Sequence, residues 1–175
     1  MAGAFLTKNY VLVFLLVFFV LAIATYGLAE QAYLTTTPTV ANQTQQQINN
    51  LRENITPQSI FFNNLLVSVL AIVPIAGIIL FGRVWINTGQ TIGQLAYSYG
   101  MSPLAYVIGI YIPVGIIETS AYSVVIAESL FLTYALKQGT FFERLKNQTW
   151  KSFLLYLALL AIAATVEAAM INGHI

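Results

Sequence analysis

Long apolar runs constrain this sequence most, because each is long enough to cross a lipid bilayer. The first, VLVFLLVFFVLAIA at positions 11–24, contains no charged residue. A membrane helix needs about 20 mostly apolar residues to cross about 30 Å of hydrocarbon. Only 7% of all residues are charged and 58% are hydrophobic, whereas about a quarter of a soluble domain is charged. The sequence therefore predicts a polytopic membrane protein and excludes a soluble domain, a disordered chain and a nucleic-acid-binding module.

The predicted fold class is all-α, a polytopic transmembrane helix bundle that forms one membrane domain over residues 1–175. About five spans are predicted, at 9–27, 60–81, 84–100, 103–135 and 152–170. Pro74 and Gly77 predict a kink in the second span. The fourth stretch is too long for one crossing, because a continuous helix there would reach about 50 Å. It is expected either as one long helix that projects from the membrane or as two pieces joined near Pro113.

The third predicted span is unusual because neither of its helical faces suits lipid. Its polar face comprises Asn87, Gln90, Thr91, Gln94, Tyr97 and Ser98. Its opposite face comprises Gly89, Gly93, Ala96 and Gly100. Small residues at this spacing let another backbone approach closely. The segment is therefore expected to cross only inside a bundle, packed on both sides.

The basic residues predict the orientation of the chain. With five spans and a cytoplasmic N-terminus, the basic residues on the inner side are Lys8, Arg83, Lys137, Arg144, Lys146 and Lys151. Only Arg52 lies outside, in agreement with the positive-inside rule. The predicted location is the plasma membrane, with an extracytoplasmic C-terminus. Cleavage of the first run as a signal peptide near residues 28–30 is the weaker alternative.

Residues 30–59 are predicted to form an extracytoplasmic polar loop, because they are rich in Thr, Gln and Asn and cannot form a core alone. A short helix is expected within it at 45–54, before Pro57. Asn42 and Asn54 each begin an N-x-T sequon, which suits glycosylation of such a loop. Chance is an equally good explanation in a segment of this composition.

Three glutamates lie within apolar stretches, where a carboxylate is costly unless it is paired or neutral. For Glu118, the functional hypothesis is a proton-titrating or cation-contacting carboxylate. The favoured hypothesis is a hydrogen-bond hub that ties the break near Pro113 to the polar face of the third span. Glu128 is expected to pair with a basic residue near the cytoplasmic end, and Glu167 to be solvated at the outer interface. The Asn63–Asn64 pair is expected to cap the second span or to bond to a neighbouring helix.

Three motifs between about Ile60 and Phe131 carry a family resemblance. They are FFNNLLVSVLAIVPIAGI, INTGQTIGQLA and IPVGIIETSAYSVVIAES. In this region the chain resembles the stage II sporulation protein M family, which includes many archaeal members of unknown function. Pro113, Gly115 and Glu118 match a P-H-G-x-x-E signature, but Val114 stands where His is common. The resemblance implies a multi-span membrane protein that works in an assembly.

The favoured function is a non-enzymatic subunit or scaffold of a membrane or envelope assembly, either a homo-oligomer or part of a larger complex. The motif residues for this role are Asn63, Asn64, Asn87, Gly89, Gln90, Gly93, Gln94, Pro113, Gly115, Glu118 and Glu128. The alternative is a transporter or channel component whose polar path is lined by Asn87, Gln90, Gln94, Glu118 and Tyr122. An intramembrane enzyme is a third, weaker hypothesis. No cofactor or metal is expected, because the sequence has no Cys and one His.

Overall fold

The computed structural model describes residues 8–53 and 55–173, and within these ranges the chain is helical without strands. The α-helices are α1 (Lys8–Thr35), α2 (Pro38–Arg52), α3 (Pro57–Val69), α4 (Ala76–Ser98), α5 (Pro103–Ile110), α6 (Ile116–Lys137), α7 (Phe141–Arg144) and α8 (Trp150–Ile171). A 3-10 turn follows α3 at Leu70–Ile72, and π-helical segments occupy Tyr111–Gly115 and Leu145–Thr149. The predicted all-α class is confirmed.

Several of these helices are long and apolar enough to cross a membrane without support from their neighbours. Among the described residues, three stretches are long and apolar enough to cross a bilayer: Lys8–Thr35, Ile116–Lys137 and Phe141–Ile171. A fourth is obtained if Pro38–Arg52 and Pro57–Ile72, which meet at 119°, count as one bent span. The chain is therefore a membrane protein, whereas the figure of five spans remains a prediction.

The boundary predicted between the second and third spans is wrong. Helix α4 runs unbroken from Ala76 to Ser98, so Arg83 lies inside a helix rather than in a cytoplasmic loop. The chain turns instead at 73–75, where Pro74 supplies no amide hydrogen and Ile75 has a φ of 63°. A side chain at Gly77 would collide with the carbonyl oxygen of Leu70, so the start of α4 packs tightly on the 3-10 turn. The kink expected here is a reversal of chain direction.

Side-chain contacts give the direction of α3 relative to α8. Ile60, near the start of α3, packs against Ala168 near the end of α8. The Ser68 hydroxyl, further along α3, bonds to Tyr156 in the first half of α8. The two helices are therefore antiparallel.

Helix α4 runs parallel to α1 along much of its length. The Trp85 indole N–H donates to the carbonyl oxygen of Leu21 at 3.3 Å. Further along both helices, Gly89 lies against Leu28 and Gly93 lies against Ala29. Since α3 precedes the turn at 73–75 and α4 follows it, the two form a helical hairpin.

The polar segment predicted as a loop is also helical. Helix α1 continues to Thr35, and α2 covers Pro38–Arg52, starting seven residues before the short helix expected at 45–54. The Thr37 side chain accepts a hydrogen bond from the amide of Val40, and Pro38 occupies the first helical turn. The interpretation as a loop was wrong because Thr37 and Pro38 start a helix, and because α2 finds polar partners on α4.

The fourth stretch is helical from Pro103 to Lys137, over about 50 Å at 1.5 Å per residue. The π-helical segment Tyr111–Gly115 interrupts its α-helical hydrogen bonding at the predicted break. Pro113 lacks the amide hydrogen that an α-helix needs at this position, which accounts for a local change of register. Two α-helical pieces, α5 and α6, thus meet near Pro113, and the π-helical segment keeps the chain helical between them.

Candidate functional site

Glu118 stands one turn after the π-helical segment, in the first turn of α6. The side-chain amide of Asn64 on α3 donates to Glu118 Oε1 at 2.8 Å. Glu118 is therefore tied to α3, and the expected tie to the polar face of the third span is wrong. Asn64 bonds to a neighbouring helix, which was one of its two expected roles; it does not cap α3, because Thr56 occupies that position.

A chain of hydrogen bonds continues from Asn64 into the bundle. The Ser68 hydroxyl donates to the carbonyl oxygen of Asn64, one helical turn earlier. It also bonds to the hydroxyl of Tyr156, a fully buried residue of α8. Glu118, Asn64, Ser68 and Tyr156 thus connect three helices through polar groups. Burying these groups costs little only because each has a partner.

Glu167 and Arg52 lie near this chain at one end of the bundle. Glu118 interacts electrostatically with Glu167, which in turn interacts with Arg52. Glu167, which was expected to be solvated at the outer interface, is half-buried. Beside them, an open cavity of about 560 Å³ is lined by Asn49, Arg52, Glu53, Met170, Ile171 and Asn172.

Glu128 forms the second polar cluster, near the opposite end of α6. Its side chain is completely buried and forms a bidentate ion pair with Arg144, with N···O distances of 2.9 and 2.8 Å. The hydroxyls of Thr149 and Ser152 donate to its two oxygens, each at 2.8 Å. The prediction that Glu128 pairs with a basic residue is confirmed.

Aromatic residues close the Glu128 cluster. The Tyr10 hydroxyl lies 3.2 Å from Ser152 Oγ and 3.3 Å from the carbonyl oxygen of Val124. The Arg144 guanidinium lies over the Phe131 ring, 4.5 Å from its centre, and the Tyr10 ring stacks on the same ring. The cluster thereby joins α1, α6 and the start of α8.

Each π-helical segment adjoins one carboxylate. Tyr111–Gly115 ends three residues before Glu118. Leu145–Thr149 ends with Thr149, whose hydroxyl donates a hydrogen bond to Glu128. A π-helical turn changes the angular register of the residues that follow it, so it can direct a side chain that a regular helix would point elsewhere. The first segment thus affects the direction of Glu118, and the second affects that of Thr149, a partner of Glu128.

The small-residue face of α4 is confirmed for most of its members. Gly89, Gly93 and Ala96 are buried, and Gly89 and Gly93 pack on α1. A Cβ at Gly89 would lie 2.5 Å from Leu28 Cβ, and one at Gly93 would lie 2.8 Å from Ala32 Cβ. Gly100 does not belong to this face, because it lies beyond α4 in an exposed turn with a φ of 63°.

The polar face of α4 is only partly covered. Thr44 donates to Gln94 Oε1 at 2.8 Å, and Ser98 donates to Gln45 Oε1 at 2.6 Å, so α2 pairs with its outer part. Asn87 and Gln90 are exposed. The expectation that this helix is packed on both sides is therefore wrong within the part of the chain that the structure describes.

The structure separates several other predicted site residues. Asn63 is exposed, and Gly115 ends the first π-helical segment. The Pro113 side chain and Asn54 lie outside the described residues. Asn42 is exposed on α2, and its glycosylation stays a prediction.

The sequence interpretation missed the hydroxyl groups of both polar clusters. Ser68 follows Asn64 by four residues and Ser152 follows Thr149 by three, the spacings that place side chains on one helical face. That spacing was a usable signal. The involvement of Tyr10 had no local signal, because it lies more than a hundred residues from Val124 along the chain.

Fold and polar clusters together define an all-helical membrane protein with two carboxylates held inside its bundle. A family model described as stage II sporulation protein M matches residues 11–170. The chain therefore belongs to the stage II sporulation protein M family, as its motifs indicate. Neither the curated proteins nor the solved structures include a significant match to it.

Proposed function

We propose that the chain is a non-enzymatic integral subunit, or scaffold, of a membrane or envelope assembly. Polar residues that line a transport path need access to water, whereas those of a scaffold bond to one another. The main support for this proposal is the Glu128 cluster, in which one buried carboxylate accepts two hydrogen bonds from Arg144 and two from hydroxyls. Such a group has no remaining acceptor site for a substrate.

The arrangement of the predicted path residues also supports this proposal. Gln94 pairs with α2, while Asn87 and Gln90 lie on the outer surface of the bundle. Tyr122 is buried against Phe81 and Trp85. These side chains do not converge with Glu118 on one interior channel.

The primary test is extraction from the native membrane in a mild detergent, followed by size analysis and mass spectrometry. We expect the chain to elute with a second polypeptide in fixed stoichiometry, most informatively an ATPase or an envelope protein. Elution as a monomer or as a homo-oligomer without another chain would contradict the role of a subunit in a larger assembly. The same purification places the protein in the plasma-membrane fraction if the proposed location is right.

A proton-conducting transport component is the second candidate, and one observation favours it. Glu118 is a half-buried carboxylate, and the bonded hydroxyls of Ser68 and Tyr156 lie in the bundle interior beyond its partner Asn64. The test is proton flux into vesicles that contain the purified protein. Flux that is lost in Glu118→Gln but kept in the exposed control Glu143→Gln would replace the scaffold proposal.

A further inference from the structure

One face of α4 presents polar side chains that no part of the described chain covers. Arg83, Asn87 and Gln90 follow one another by four and three residues, so they form one stripe along the helix. All three are exposed, and among the described residues none of them has a hydrogen-bond or ion-pair partner. The opposite face of α4 is buried against α1 and the core through Phe81, Trp85, Gly89 and Gly93.

The depth of this stripe follows from the register between α4 and α1. Trp85 bonds to Leu21, and Gly89 lies against Leu28. The apolar part of α1, from Tyr10 to Ala29, spans about 30 Å, the thickness of the hydrocarbon layer. Since α4 is parallel to α1, Arg83 lies near the middle of this layer.

Lipid cannot satisfy Arg83 and Asn87, whereas Gln90 lies at the edge of the layer and lines a small cavity with Gln31 and Gln94. An exposed arginine at the bilayer centre costs at least about 2.5 kcal/mol, which is why such residues face protein or water. Arg83 has a long side chain that can extend toward a membrane surface, but the short amide of Asn87 cannot. The stripe therefore requires a protein surface against it.

We propose that this face of α4 binds a transmembrane helix of another protein, and that this helix carries a carboxylate level with Arg83. The inference rests on the proposed function as an assembly subunit and identifies the contact surface. Exposed apolar side chains lie beside the stripe and would pack against apolar residues of the bound helix. They are Ile79, Leu80, Val84 and Ile86. The amide of Asn87 bonds to a polar side chain of the same helix.

The charges of the chain exclude a second copy as the occupant. A parallel two-fold pair through this face would place Arg83 against its own counterpart in a medium of low dielectric constant. Four glutamates lie closer to the ends of the bundle than Arg83 does: Glu30 and Glu167 near the ends of α1 and α8, Glu53 just after α2, and Glu143 in α7.

The interior glutamates of a second copy cannot form an ion pair with Arg83 either. Glu128 is fully buried and held by Arg144, and Glu118 is bonded to Asn64 inside the bundle. The carboxylate that Arg83 needs therefore comes from a different polypeptide.

A designed probe tests this proposal without knowledge of the natural partner. It is a synthetic Leu/Ala transmembrane helix of about 20 residues with a single central Glu, compared with a twin that has Gln at this position. Association with the purified, reconstituted protein is measured by fluorescence energy transfer in phosphatidylcholine vesicles. We expect the Glu peptide to bind about tenfold more tightly than the Gln peptide.

Three variants distinguish a specific role of Arg83 in binding from a general effect of positive charge. Arg83→Leu is expected to remove the preference for the Glu peptide, Arg83→Lys to retain most of it, and the control Arg52→Leu to leave it unchanged. Equal binding of both peptides by the wild type, or a preference that survives in Arg83→Leu, would overturn the proposal.

A second measurement tests whether a second copy of this chain binds to the same face of α4. The chain has no Cys, so Asn87→Cys introduces one unique thiol on this face. Efficient oxidation to a disulfide-linked homodimer in vesicles would assign the face to a second copy and overturn the proposal; a monomer supports it. Because these tests use pure protein, their failure leaves the co-extraction result, and with it the proposed function, unaffected.

Discussion

The carboxylate of Glu128 shows how a single charged residue is accommodated in an apolar bundle. Arg144 neutralises it, and two hydroxyls occupy its remaining acceptor sites at 2.8 Å. Removing one partner of a buried ion pair is strongly destabilising because the other charge stays behind. Glu128 is therefore a determinant of stability.

We expect Glu128→Gln to lower the free energy of unfolding by about 3 kcal/mol, because Arg144 loses its counter-charge and the new amide faces its donors. The measurement is unfolding in mixed detergent micelles, followed by circular dichroism. Glu143→Gln is the matched control, since Glu143 is exposed on the adjoining helix α7. Similar losses in both variants would show that the cluster does not stabilise the bundle.

For single residues, the sequence indicates which side chains are under constraint but not which partners they have. An apolar context marks Glu118 and Glu128 as special. Their partners Asn64 and Arg144 lie 54 and 16 positions away in the chain. Such pairs depend on how whole helices pack, which local patterns do not encode.

Among the elements, α4 contains both a confirmed and a wrong prediction. Its division into a small face and a polar face follows from a period of 3.6 residues, which the sequence displays directly. Its start was misplaced because Arg83 and Gly82 resemble the end of a span. Packing of Phe81 and Trp85 against Tyr122 holds the helix together through this point, and that contact is tertiary.

The close contact between α1 and α4 leads to a prediction with a control in the same helix. Gly93→Ala is expected to destabilise the protein by about 1–3 kcal/mol, because the methyl group would collide with the Ala29 carbonyl oxygen and with Ala32. Gly82→Ala adds the same methyl group in open space and is expected to be neutral or stabilising by up to about 1 kcal/mol. Thermal unfolding in detergent measures both.

If Gly82→Ala is as damaging as Gly93→Ala, the loss reflects the backbone flexibility of glycine. The close approach of α1 would then not be the cause. Gly93→Ser, which adds a hydroxyl to the same methyl-sized group, is expected to lose at least as much stability as Gly93→Ala.

The whole molecule has two ends of different character. Lys8, Lys137, Arg144 and Lys146 lie toward the end where α1 begins and α6 meets α7, whereas α2 lies at the other end. We expect Gln138→Cys to be labelled only from the cytoplasmic side and Gln47→Cys only from outside, since both positions are exposed. A membrane-impermeant maleimide added to right-side-out vesicles makes the measurement, and reaction of both thiols from one side would contradict this orientation.

The turn at 73–75 has a consequence for how the protein enters the membrane during its synthesis. Helix α4 bears Arg83 and Asn87, so it partitions poorly into lipid from the translocon by itself. Because Gly77 packs directly on the 3-10 turn that ends α3, the two helices are joined as a preformed pair. Insertion of α4 is thus coupled to that of α3, and α4 is expected to enter the bilayer only in contact with the helix synthesised before it.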